Sequence, residues 1–316
     1  MFYNNSFNTT LENKERFMTE QFKIGFIGLG IMGAPMAKNL INAKYEVYVF
    51  DNKQESIKNL VENGAVATQS SLDLGEKVDV VITMVQDSAN SEEAIISDKG
   101  VLNTLKKGCT VIDMSSISPL VSQKISKLCE QKAVDFLDAP VSGGEPMAIS
   151  GDLAIMVGGK ENIFKKFEGL FDVMGKSKVY CGKAGAGNTT KLANQIIVAA
   201  NIEALSEALV LSKKAGLDPK VVLNAIQGGL AGSTVMNAKG PMMADGNFTP
   251  GFRIKLHQKD LNNALMTAKE LGVSIPVTGL IQQMITSLVN EGKGELDHSG
   301  IATFIENISG IKISED

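Results

Sequence analysis

The stretch Ile24-Gly25-Phe26-Ile27-Gly28-Leu29-Gly30-Ile31-Met32-Gly33 decides the architecture. An apolar run, Phe22–Ile27, meets a glycine turn, and a helical stretch to about Ala43 follows. This is G-x-G-x-x-G in the context its chemistry needs, directly after a strand and opening a helix. Gly28 permits the tight turn, Gly30 lets backbone approach a pyrophosphate, and Gly33 lets helix pack on strand. Leu29, Ile31 and Met32 complete the loop, and the free N–H groups and positive dipole end of the helix suit the anion. Such a turn can also be purely structural, so a second feature matters. Asp51 ends the next strand, Glu46–Phe50, about 20 residues on, where an acid accepts hydrogen bonds from the adenosine ribose hydroxyls and repels a 2′-phosphate. Together these predict dinucleotide binding, with NAD favoured and NADP possible. Lys53 either softens that preference or is simply solvated.

Outward from this turn, short apolar runs alternate with amphipathic helical stretches: Glu46–Phe50 with a helix through Asn63, then Val78–Val85, Thr110–Met114, Val134–Leu137 and Leu153–Val157. That alternation implies βαβ units and a mostly parallel sheet. It ends near Tyr180–Gly182. Asn188 to Ala215 then reads as one long helix, with Asn188 as N-cap and Gly216 just past its end. Asp218-Pro219 opens another helix with cap and N1 proline in order, and Gly228-Gly229 ends it. Helical patterns follow over Ile254–Leu271, Val277–Asn290 and His298–Asn307. The expectation is α/β: a Rossmann-type dinucleotide-binding domain over residues 22–183 and an all-helical substrate and dimerisation domain over 184–316. Residues 1–21, polar and without an apolar signal-like core, read as a disordered extension with Met18 as the natural initiator.

Composition narrows the function classes. The chain has 316 residues, suited to about two domains at roughly 100–200 residues each, and a formal net charge of −4. That balance disfavours a nucleic-acid binder. The longest apolar stretch, near Gln195–Leu211, is broken by Glu203 and Glu207, so no membrane partner is expected. Cys109, Cys129 and Cys181 lack the spacing of a disulfide framework or a metal site, so no metal is expected and a reducing, cytoplasmic setting fits. Arginine occurs only at positions 16 and 253, which speaks against a phosphate-rich substrate.

Two further segments carry candidate chemistry. Asp138-Ala139-Pro140-Val141-Ser142-Gly143-Gly144 follows a strand, and its Ser-Gly-Gly turn is either a backbone N–H nest for a carboxylate or a plain tight turn. Gly185-Ala186-Gly187-Asn188-Thr189-Thr190-Lys191 opens the long helix, with Lys191 in its first turn, where the dipole disfavours a cation. Asn194 and Gln195 share its face. Lys191 is therefore a solvated surface lysine or a proton donor held in register by an amide. His257 reads as a substrate-pocket residue or a packed helix histidine, His298 as structural, and Arg253 as an anion clamp or an ion-pair partner.

The glycine turn, Asp138 through Gly144, and Gly187-Asn188 through Asn194 resemble the β-hydroxyacid dehydrogenases, in order and at compatible spacing, over Phe22 to about Asn307. Asp113-Met114-Ser115-Ser116-Ile117, Gly228 through Ser233 and Leu256-His257-Gln258-Lys259-Asp260-Leu261 are most similar to the branch of that family that reduces tartronate semialdehyde (2-hydroxy-3-oxopropanoate) to glycerate. The resemblance implies that Lys191 is the catalytic lysine and Asn194 its amide partner. It assigns Ser142, Gly143, Gly144 and Ser116 to the substrate, and Val85, Asn90, Ser116 and Lys259 to the cofactor. It also implies a homodimer or homotetramer. Gln86 replaces a usual proline, Gln195 a second asparagine, and Asn52 an arginine found in some relatives. The same chemistry on methylmalonate semialdehyde (a 3-hydroxyisobutyrate dehydrogenase) or another short semialdehyde is the near alternative. A decarboxylating 6-phosphogluconate-type enzyme and a non-catalytic dinucleotide sensor are the more distant ones.

Overall fold

Runs of β-branched and aromatic residues too short for helices become strands, and the central ones are buried along nearly their whole length. The computed structural model describes residues 22–314. The expected extension at residues 1–21, Met18 included, lies outside the described residues. The chain divides into two units, one ending at Thr189 and one beginning at Thr190.

In the first unit the strands are β1 (Lys23–Ile27), β2 (Glu46–Phe50), β3 (Val66–Ala67), β4 (Val80–Thr83), β5 (Thr110–Asp113), β6 (Asp135–Asp138), β7 (Val141–Ser142), β8 (Ala154–Gly159) and β9 (Ser177–Gly182). They form one sheet in the order β3-β2-β1-β4-β5-β6-β8-β7, with β9 also paired to β8. From β3 to β6 every pairing is parallel, Ile24 lying between Val47 and Val80. β8 runs antiparallel to β6 and β7. Parallel strands need both faces covered, and two apolar layers do this. Met36, Leu40, Phe167 and Phe171 pack with Phe26 and Val49 on one face, and Leu74, Val81, Val111 and Ile125 pack together on the other. Each fully buried side chain of this size contributes about 1.5–3 kcal/mol. The strand order reverses direction beside β1, between it and β4, the position at which doubly wound sheets bind nucleotides.

The second unit is helical: the long helix Ala186–Lys214, which begins in the first unit, then Pro219–Ile226, Thr234–Ala244, Ile254–Leu271, Pro276–Asn290, a 3₁₀ turn His298–Ile301, and Ala302–Ser309. By length and composition the long helix could cross a membrane. Here Ala199, Ile202, Leu205 and Leu209 instead join Leu261, Ile285 and Ile301 in this unit's apolar core. Asp218 caps its helix through the Lys220 N–H, ahead of Pro219, as expected.

Several local readings are corrected. Asn188 is not an N-cap: the long helix opens at Ala186, so Lys191 lies in the second turn. By contacts the two units meet inside that helix, at Thr189 and Thr190. The helix Thr234–Ala244 was not expected, because Gly240 and Pro241 interrupt its pattern; Ser233 caps it by accepting the Met236 N–H. Two-residue strands such as β3 and β7 are too short to show a period.

Candidate active site

The glycine turn follows β1 as the sequence requires. A side chain at Gly33 would place its Cβ 1.9 Å from the Gly28 carbonyl oxygen, and one at Gly28, whose φ is +95°, would meet the Met84 carbonyl at 2.3 Å. Gly30 differs: nothing lies within 4 Å of the position its Cβ would take. That open space is what a pyrophosphate needs beside the backbone. The helix Gly33–Asn42 behind it starts without a side-chain cap on Met32, so its N-terminus is suited to an anion. Leu29 is buried, whereas Gly30 and Ile31 are exposed at the rim.

Asp51 stands just past β2 and accepts the Leu29 N–H at 2.6 Å and the Lys53 N–H at 2.7 Å. The carboxylate therefore holds the turn in shape and remains half-buried, with lone pairs left for a ribose. These features fit a dinucleotide. Past β4, the Val85 N–H donates to Ser115 Oγ at 2.9 Å, and the Asn90 N–H donates to Asp87 Oδ1 in the first turn of Ser88–Ile96. Ser116 is half-buried beside this loop. Ser142 lies in β7, opposite Ala154. Gly143 and Gly144 take φ of +144° and +69°, so the turn is one that only glycine adopts easily.

Asp138 ends β6 and is fully buried. Its carboxylate accepts the N–H groups of Gly185, at 2.7 Å, and Asn188, at 2.8 Å. Burial pushes it up to about 7, opposed by those two donors. Asn188 in turn accepts the Ile117 N–H at 3.0 Å and donates to Ser122 Oγ at 3.1 Å. The start of the long helix is thereby tied to the ends of β5 and β6.

In the second unit Lys191 is buried, 6% exposed, and no hydrogen bond to its ammonium forms among the described residues. Burial brings it down to about 8; Asp260 opposes that shift and Lys259 adds to it. One turn on, the buried Gln195 donates Nε2–H to Asp260 Oδ2 at 2.7 Å. A carboxylate only accepts, so this bond fixes the amide, and Gln195 Oε1 must accept from Asn194 Nδ2, at 2.8 Å. The Asn194 oxygen is then the atom left to accept from a substrate. Lys259 forms an ion pair with Asp260 at 3.2 Å. Gln195 and His257 are both spent on internal bonds: His257 Nε2 lies 3.1 Å from the Gln195 carbonyl, which is the packed-histidine reading. Arg253 pairs with Glu295 at 3.2 Å, which is the ion-pair reading.

Sequence reasoning missed Asp138 as the anchor of the helix and Asp260 as the partner of Gln195. Each had a signal: an acid closing an apolar strand, and an acid three residues after His257 on one helix face. Among the described residues no group of His, Cys, Asp or Glu suits a metal.

Residues 23–182 match the family model described as the NAD-binding domain of 6-phosphogluconate dehydrogenase, and residues 185–305 match the one described as NAD-binding of NADP-dependent 3-hydroxyisobutyrate dehydrogenase. The 2-hydroxy-3-oxopropionate reductase of Escherichia coli (strain K12) is 42% identical over 292 residues, 92% of this chain and 100% of that protein. The chain belongs to the β-hydroxyacid dehydrogenase family. Another relative in it, the mitochondrial 3-hydroxyisobutyrate dehydrogenase of Rattus norvegicus, is 36% identical over 298 residues, 92% of this chain and 89% of its own. Among solved structures, Mycobacterium tuberculosis 3-hydroxyisobutyrate dehydrogenase with L-serine superposes with a TM-score of 0.83 at 28% identity, covering 90% of this chain and 99% of that one. The chain is thus an oxidoreductase of small β-hydroxyacids that uses a nicotinamide dinucleotide.

The glycine turn yields a paired prediction. Gly30→Ala has room for its methyl, so Tm stays near wild type while the Kd for NADH, read by fluorescence titration, rises about tenfold, or ~1.4 kcal/mol. Gly33→Ala forces a methyl into a carbonyl oxygen and lowers stability by roughly 1–3 kcal/mol. Loss of stability in the first variant, or none in the second, contradicts this assignment of the glycines.

Proposed function

We propose that the chain reduces tartronate semialdehyde to glycerate with NADH, Lys191 giving the proton. The observation that carries this is the buried Lys191, its ammonium brought into the range of general acids beside an Asn194–Gln195–Asp260 network. The bound nicotinamide supplies the hydride that reduces the aldehyde carbon. Lys191 Nζ delivers a proton to the carbonyl oxygen as it becomes a hydroxyl, and takes it back in the oxidation. Asn194 accepts a hydrogen bond through its oxygen, from the lysine or from a substrate hydroxyl. The Ser142-Gly143-Gly144 turn holds the substrate carboxylate, with Ser116 alongside. Val85, Asn90 and Lys259 border the nicotinamide. Holding the reacting atoms in register supplies much of the rate. Asp51, carrying its charge where a 2′-phosphate would lie, favours NADH over NADPH.

For substrate choice, tartronate and methylmalonate semialdehydes differ mainly in hydroxyl against methyl at C2. A site that hydrogen-bonds the hydroxyl leaves polar groups unpaired when the methyl arrives, and so discriminates by roughly 10⁴. The E. coli relative, named for the former substrate, supports this reading. kcat/KM measured on both semialdehydes, each with NADH and NADPH, is expected to be highest for tartronate semialdehyde with NADH. Equal or better efficiency on methylmalonate semialdehyde moves the chain to the 3-hydroxyisobutyrate reading; parity of NADPH removes the role given to Asp51.

The lysine also sets a pH dependence. Reduction needs the ammonium, so kcat/KM for reduction is level below about pH 8 and falls as pH rises through that value; oxidation needs the free amine and rises there. Lys191→Met keeps the buried stem, and is expected to lower kcat by about 10²–10⁴ and to erase both limbs. Turnover near wild type in this variant returns Lys191 to a packing role.

The oligomer is a proposal as well. Ile197 and Leu211 of the long helix are exposed, and a second copy covering them fits a homodimer or a dimer of dimers. Light scattering at micromolar concentration is expected to give twice or four times the chain mass of 33.7 kDa; a monomer contradicts it.

A further inference from the structure

The chain has two histidines, and they are buried against each other in the helical unit, His257 fully and His298 at 5% exposure. Their Nδ1 atoms are 3.0 Å apart, and the Phe252 ring lies edge-on to both. His257 Nε2 lies 3.1 Å from the Gln195 carbonyl. A carbonyl only accepts, so Nε2 carries the hydrogen, and a neutral His257 is then bare at Nδ1. The His298 Nδ1 must therefore donate to it. The tautomers of both rings follow from one backbone oxygen.

The same helix, Ile254–Leu271, grips Gln195 twice. His257 holds its main-chain oxygen, and Asp260, one turn on, holds its side-chain amide at 2.7 Å. Lys191 is one turn back from Gln195 on the long helix, on the same face. The charged groups that act on the pair are Asp260, Lys191, Asp297 and Lys239. Asp297 is committed elsewhere. It accepts Lys239 Nζ, the N–H groups of Gly251, Phe252 and Ser299, and Ser299 Oγ–H. It is thus well satisfied by other donors; its charge favours protonation of both rings, but burial outweighs it and holds them below the ordinary histidine range.

We propose that His257 and His298 are positioning residues for the proton donor: a neutral imidazole pair of fixed tautomer that clamps the long helix at Gln195 and so sets Lys191 against Asp260. This rests on the reading of Lys191 as the donor, and deepens it by assigning what holds the donor in place.

Long-range ¹H–¹⁵N spectra of the holoenzyme, without an affinity tag, test the tautomers directly. His257 is expected to carry hydrogen on Nε2 alone and His298 on Nδ1 alone, with both rings still neutral where an ordinary histidine would protonate. Reversed tautomers, or exchange between them, overturn the clamp. Two variants then separate positioning from packing. His298→Phe keeps a ring against Phe252 but removes the donor. His298→Asn is smaller, yet presents an amide N–H where Nδ1 stood. With Phe, kcat is expected to fall roughly tenfold, within the 10²-fold that a 1 Å misplacement costs, and the alkaline limb of reduction to move above pH 8 as water reaches Lys191. With Asn, both are expected to return toward wild type. If Phe matches or exceeds Asn in kcat and limb, the pair only fills space and the proposal fails. The tautomers are read without turnover, so an active Lys191→Met enzyme sinks the donor role while leaving that measurement standing. Wrong tautomers in an enzyme that still needs Lys191 sink the clamp alone.

Discussion

Asp113 and Asp138 lie side by side at the ends of neighbouring parallel strands, both buried, and the loops beyond the sheet are built on them. Asp113 accepts Thr83 Oγ–H at 2.9 Å and the Ser115 N–H at 3.0 Å; Ser115 Oγ then takes the Val85 N–H. Asp138 takes the first N–H groups of the long helix. Asp51, just past β2, takes the Leu29 N–H of the glycine turn. Strand-end carboxylates thus do for these loops what backbone ladders do for the sheet, satisfying N–H groups that would otherwise be buried unpaired. Burial penalises each acid, and the neighbouring Asp113 adds a little repulsion, which is why Asp138 rises to about 7. Such an arrangement survives only where N–H donors compensate it. These loops are therefore held by strand-end carboxyl oxygens, and an apolar residue at Asp138 would leave the Gly185 and Asn188 N–H groups without acceptors.

The helical unit solves a different problem, that of keeping a lysine out of water. A buried ammonium with no partner loses its proton rather than staying charged. Asp260 prevents complete loss for Lys191, but it is shared with Lys259 and bonded to Gln195. The result is a value of about 8, between that of a free lysine and that of an isolated buried one. The lower the value, the stronger the acid but the smaller the protonated fraction at neutral pH, so an intermediate value suits a group that must give a proton and recover it.

Much of this was legible in the residues. The G-x-G-x-x-G turn, Asp51 and the alternation of apolar runs gave the α/β half, because each depends on local sequence and on a period of two or 3.6. The Asp218-Pro219 start and the span Ile254–Leu271 were read correctly for the same reason. What could not be read depends on partners far along the chain. Asn188 carries every mark of an N-cap, yet Asp138, 50 positions earlier, supplies acceptors that let the helix start sooner. Nothing near Gln195 in sequence announces that Asp260, 65 positions later, holds its amide. His257 and His298, far apart in sequence, share no motif that announces their contact. Thr234–Ala244 was hidden because Gly240 and Pro241 count against a helix wherever packing is unknown.

Charge around the lysine has one more consequence for the proposed reaction. Lys191 and Lys259 both act on Asp260, whose charge opposes the effect of burial on Lys191. An anionic substrate would add a second negative charge beside the lysines, whereas a neutral aldehyde would not. A carboxylate arriving near Lys191 also raises the lysine's pKa, because an opposite charge favours the protonated form. The donor would then be loaded by the substrate it serves: partly deprotonated at alkaline pH in the free enzyme, and protonated once a hydroxyacid or oxoacid is bound. In the proposed reaction the negative charge of the substrate would then be part of the catalyst, a physical reason for a lysine, rather than the lower-pKa histidine, to serve small acids.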